Sequence, residues 1–120
     1  MSDTCDSFID NKTFILNELY GSACNHSVCF YKNNFSDMST KKFFFGCIHA
    51  VMSNFLYQMV DTIKEMENTE KNNERLKAIR KIICCSSDST ESFQMLIRML
   101  LGEQQAQCYV NIHNELKKLY

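Results

Sequence analysis

The chain has 120 residues, 45% of them hydrophobic and 22% charged, with a formal net charge of -1. That length fits one domain over residues 1–120 with a single hydrophobic core, and the composition excludes a disordered chain. The near-zero charge gives no pull toward nucleic acid. No apolar run nears the roughly 20 residues of a membrane span, so membrane insertion is not expected either.

There is no proline, and the only glycines are Gly21, Gly46 and Gly102. Sandwiches and barrels draw heavily on turn residues, so the expected class is all-α. Residues 1–7 lack the charged and apolar parts of a signal peptide, which fits a cytosolic chain or a mature secreted domain.

Apolar spacing predicts a first helix from Asp3 to Tyr20, with Cys5, Phe8, Ile9, Ile15, Leu16 and Leu19 inward and Gly21 as its stop. Residues 22–38 are polar and read as a long connection. The strongest pattern runs from Ser39 to Met66, where Phe43, Cys47, Val51, Phe55, Met59 and Ile63 belong to a stripe held for seven turns. A helix of that length, about 40 Å, is expected to break near Asp61 or to curve.

Glu67 to Arg75 reads as a polar turn. Leu76, Ile79, Ile82 and Ile83 face inward on a third helix ending at Cys84-Cys85, with Lys77, Arg80 and Lys81 on its solvated side. A fourth helix opens at the capping box Asp88-x-x-Glu91 and runs through Phe93, Leu96, Ile97, Leu100, Cys108, Ile112 and Leu116 to Leu119. Gly102 loosens its middle.

The seven cysteines stand at 5, 24, 29, 47, 84, 85 and 108. In a secreted chain Cys5, Cys24, Cys29, Cys47, Cys84, Cys85 and Cys108 are all disulfide candidates. In a cytosolic chain they are small buried hydrophobes, and Cys47 and Cys84 fall at core-facing positions. Cys24-x4-Cys29 resembles half of a zinc site, but no second Cys/His pair follows, so neither a metal nor a cofactor is expected. Three sequons, at Asn11, Asn25 and Asn34, make those asparagines glycosylation candidates in the secreted case.

There is no phosphate-binding glycine loop, no HExxH and no GxSxG, and the chain is not read as an enzyme. Protein recognition is the expected function.

Amphipathic helix, cysteine-bearing connection, helix with an internal cysteine, helix ending in cysteine and long last helix together resemble the short-chain four-helix cytokines. These are the bundles of the common-gamma-chain class, of interleukin-2/15/21 or interleukin-4/13 type. Phe43-Phe44-Phe45-Gly46-Cys47-Ile48 is similar to that family's second helix. Cys85 and the later Glu91-Ser92-Phe93 are similar to the approach to its last helix.

The resemblance implies a secreted, monomeric ligand that bridges cell-surface receptor chains and triggers immune signalling. It implies a bridge from Cys47 to Cys84 or Cys85. It also implies one receptor contact at Asp10 or Glu18 and another at Gln104, Gln105 or Gln107. The family's up-up-down-down topology needs two long crossovers. The first is supplied by 22–38, while Ser86 to Ser89 is short for the second.

Residues 74–119 also resemble the last three helices of a caspase-recruitment (death-fold) domain, through Ser92-Phe93-x-x-Leu96-x-x-Met99-Leu100 followed by Gln105 and Cys108. That resemblance implies a cytosolic adaptor with reduced cysteines that acts by homotypic assembly. Residues 1–38 fit it poorly. A viral decoy of Bcl-2 type is a fainter match, with no motif in support and no tryptophan.

Overall fold

The structure, a computed structural model, describes residues 4–32, 40–86 and 90–118. Among them the chain is wholly helical, in five helices: α1 (Thr4–Lys32), α2 (Thr40–Lys64), α3 (Glu70–Ser86), α4 (Thr90–Leu101) and α5 (Glu103–Lys117). They form an elongated bundle measuring 59 × 26 × 24 Å. Its core is one apolar cluster in which Ile15, Met59, Ile63, Leu76, Ile79 and Ile97 lose all contact with solvent.

The first helix does not stop at Gly21. It continues to Lys32, and the expected connection at 22–38 is helical over most of its length. Gly21 lacks the positive φ of a helix-ending glycine. The residues after it carry an inward face of small side chains: Ala23 is fully buried, and Ser27 bonds across to Ser53 on α2. Small polar residues read as loop when only large apolar ones are counted as core.

α1 and α2 are antiparallel. Lys12 near the start of α1 donates to the carbonyls of Lys64 and Met66 at the end of α2, both at 3.0 Å, while His26 meets His49 near its beginning. The lysine supplies partners to carbonyls left over at a helix C-terminus. The cytokine resemblance implies a parallel first pair, and the structure has a hairpin instead. α2, expected either to break near Asp61 or to curve, ends at Lys64, three residues beyond Asp61 and short of Met66.

α3 begins at Glu70, earlier than its apolar residues indicate, because Thr69 caps it. The Thr69 hydroxyl accepts from the backbone N–H of Asn72 at 3.1 Å, and its carbonyl accepts from Asn73 at 2.8 Å. α3 turns back to lie beside α1. Arg80 is not on the solvated side: it reaches α1, donating to Asp10 and Asn11, with its guanidinium over the Phe14 ring.

The single last helix expected from Asp88 to Leu119 is two helices joined by one residue. Gly102, at φ 98 and ψ 168, donates its N–H to the carbonyls of Ile97 and Arg98 and accepts from Ala106 through its own carbonyl. It closes α4 and opens α5. An L side chain at that φ is strained by about 1–3 kcal/mol. The break also changes the helical phase, so α5 buries Ala106 and Tyr109 and leaves Cys108 exposed. Asp88 lies outside the described residues.

Candidate functional site

α1 packs on α2 and α3 while α4 and α5 pack on α2, and α1 makes no close backbone approach to α4 or α5 among the described residues. The gap is a cleft of about 560 Å³. Its floor is Met52 and Leu56 of α2 with Ile83 of α3. One wall is Phe93, Leu96 and Tyr109 of α4 and α5, and the other is the α1 face carrying Glu18, Gly21, Ser22, Asn25 and His26.

Each wall follows from a local feature of the sequence. Gly21 keeps the α1 wall low, and a Cβ built there meets no atom within 4 Å. Tyr109 is held by three rings: Phe55 edge-on at 5.6 Å, Phe93 at 5.0 Å and His113 at 5.9 Å between centroids. Burial pushes its phenol pKa up. The cleft volume lies in the range of small-ligand and peptide pockets, roughly 300–1,000 Å³.

At the upper edge, His26 Nδ1 sits 2.8 Å from His49 Nδ1, with ring centroids 5.0 Å apart. Burial, and then the neighbouring His49, hold the His26 pKa below its ordinary value. Beneath them the hydroxyls of Ser27 and Ser53 are 2.6 Å apart, and Ser53 also donates to the Ala23 carbonyl. A short way along, Cys24 and Tyr57 approach to 3.7 Å, with Tyr20 edge-on to Tyr57. Among the described residues no group of three or more His, Cys, Asp or Glu side chains is placed to hold a metal ion. No helix among them is long and apolar enough to cross a membrane.

The residues singled out by sequence are scattered. Asp10 and Glu18 are exposed on α1, but Asp10 is paired with Arg80 at 3.1 Å, and only Glu18 lines the cleft. Gln104, Gln105 and Gln107 are exposed on α5, where Gln107 donates to Asn111. The structure does not bring the two sets together. Asn11 is 8% exposed and accepts from Arg80, so a glycan at that position is incompatible with this packing. Asn25 is exposed on the α1 wall, and Asn34 lies outside the described residues.

Cys24, Cys29, Cys47, Cys84, Cys85 and Cys108 are free thiols. The implied bridge from Cys47 to Cys84 or Cys85 is not made. Among the described residues no Cα of α2 comes within 8 Å of one in α3, whereas a disulfide needs about 4.4–6.8 Å. Cys84 is exposed rather than core-facing, and Cys47 is half-buried. Cys5 has no described side chain.

Sequence reasoning missed His26, His49, Gly21 and Tyr109 as one neighbourhood. Leu19, Ala23 and His26 follow helical spacing and were a usable signal, hidden by reading 22–38 as loop. Compared with family models, curated proteins and solved structures, the chain matches none.

Proposed function

We propose that this chain is a recognition module that binds another protein, and that the cleft receives an amphipathic helix of that partner. The carrying observation is an apolar floor open along the face of α1. From Asn17 to His26 that face is about 13 Å long at 1.5 Å per residue, which matches two to three turns of helix. A helix docked there fills the place α1 leaves vacant against α4 and α5, the groove mode of peptide recognition. Glu18 is the one carboxylate among the lining residues, so a basic residue on the partner fits that end.

The test is selection of 14-residue peptides from a random library, followed by binding to a Gly21→Phe variant. A Cβ at Gly21 meets no atom within 4 Å, so the new side chain starts in open space beside the cleft. Enriched peptides should carry apolar residues at i, i+3 or i+4 and i+7, and should lose about tenfold or more in affinity for the variant. Equal affinity for both forms retires the cleft as the binding site.

Receptor bridging by a secreted cytokine is a second proposal, supported by cysteine density and by the exposure of Asp10, Glu18, Gln104, Gln105 and Gln107 on two separate helices. The antiparallel first pair and the free thiols weigh against it. Alkylation of the folded protein without reductant, read by mass spectrometry, separates the readings. The geometry predicts rapid labelling of the exposed Cys29, Cys84, Cys85 and Cys108, and slower labelling of half-buried Cys47, whose thiol pKa burial pushes up. One free thiol or none would restore the disulfide-held ligand. Six or more point to the cytosolic adaptor.

A further inference from the structure

The seam between α1 and α2 changes character along its length. Ile15 and Leu19 of α1, with Leu56, Met59, Val60 and Ile63 of α2, belong to the apolar core. From Ala23 to Ser27, facing His49 to Ser53, the seam is small and polar among the described side chains: Ser27 on Ser53, Ser53 on the Ala23 carbonyl, and His26 on His49. Among the described side chains of that stretch, hydrogen bonds cross the seam where apolar contacts do below.

An Nδ1-to-Nδ1 contact of 2.8 Å requires one imidazole to carry its proton on Nδ1 and the other to present a bare Nδ1. A first added proton goes to Nε2 of the donor ring and leaves the bond intact. A second must go to the accepting Nδ1, which places two N–H groups head to head and ends the bond.

Neither helix carries a fixed charge close in sequence to the pair that could relieve that repulsion. α1 has no Asp, Glu, Lys or Arg between Glu18 and Lys32, and α2 has none between Lys42 and Asp61. Cys24, Cys29 and Cys47, with Tyr20 and Tyr57 about a turn or two further along, are the other titratable side chains described on this stretch of the two helices. The remaining titratable residues lining the cleft are Glu18, two helical turns below, and Tyr109 and His113 of α5. Beyond His113 on α5 stand Glu115, Lys117 and Lys118, all exposed. α3 and α4 line the cleft with Ile83, Phe93 and Leu96, none of which titrates.

We propose that the His26–His49 pair is an acid-released latch: the neutral pair holds the upper α1–α2 seam closed, and protonation of both rings opens it while the apolar half stays packed. The device works whatever occupies the cleft. Its thermodynamic sign follows from the His26 environment. With His26 held below its ordinary value of 6.5, the folded chain binds fewer protons than the unfolded chain just below that pH. The latch contribution is therefore complete above 6.5 and is lost as pH falls through the lower folded-state value.

Amide hydrogen exchange, corrected for intrinsic rates, tests this on the whole chain. Between about pH 7.5 and pH 5, residues 22–29 and 46–53 should exchange about tenfold faster, and residues 55–63 less than about twofold faster. The double variant His26→Gln, His49→Gln bonds side chain to side chain without titrating, and its upper seam should show no such pH response. Single variants, checked for native circular dichroism, guard against misfolding of the double one. A uniform acceleration along α1 and α2, or a response that persists in the double variant, overturns the latch.

Discussion

Replacing Tyr109 with alanine should lower the free energy of unfolding by about 3–5 kcal/mol, the range for removing a buried aromatic ring. Tyr109 is 2% exposed, and its ring joins α5 to α2 through Phe55 and to α4 through Phe93. The gap left behind adjoins the cleft, so neighbouring side chains have solvent-side room to relax, which favours the lower end of the range. Urea denaturation should show a lower midpoint with an unchanged slope. A loss below about 1 kcal/mol would mean that α5 is not docked by this ring.

Arg80→Leu should cost about 2–4 kcal/mol, from three unequal parts. The largest is Asn11, whose side-chain oxygen accepts from Arg80 at 3.0 Å in an 8% exposed residue. Left without that donor it loses about 1–3 kcal/mol. The guanidinium over Phe14, 4.2 Å from the ring centroid, adds about 0.5–1 kcal/mol. The ion pair with Asp10 adds less than about 1 kcal/mol, because that carboxylate is 78% exposed and screened by solvent. Asp10→Asn should therefore be nearly neutral in the same denaturation experiment. If Asp10→Asn costs as much as Arg80→Leu, the buried Asn11 contact is not what matters. Asp10→Asn is also a cleaner probe of receptor contact than Asp10→Lys, which sets a second cation beside Arg80.

The class and core of this fold were legible in the sequence, and its joints were not. Periodicity of large apolar residues located α2 from Phe43 onward and the inward residues Leu76, Ile79 and Ile83 of α3. It failed where helices pack through small or polar groups. Ala23, Ser27 and Ser53 contribute little to an apolar count, yet they let two backbones approach and bond across the seam. It also failed at Gly102, where one residue shifts the helical phase, so Cys108 belongs to the apolar run yet is exposed, and Tyr109 falls outside that run yet is buried. The inward assignment of Ile9 fails as well: at 56% exposed, it lies on the solvent side of α1. Of the cleft, only Glu18 stands out in the sequence as a contact, because the lining comes from five helices whose mutual placement no local pattern encodes.

Gly102 decides more than a bend. The residues from Thr90 to Lys117 carry enough helix formers to run straight if the joint held a residue with negative φ. A straight helix would carry Tyr109 away from Phe55 and Phe93 and leave the place of α5 vacant on its own chain. The identical segment of a neighbouring molecule has the right shape to fill it. Exchange of a terminal helix between copies is the known hazard of altering a hinge. By folding the last helix back on its own chain, this one glycine seats Tyr109 between Phe55 and Phe93 within a single molecule.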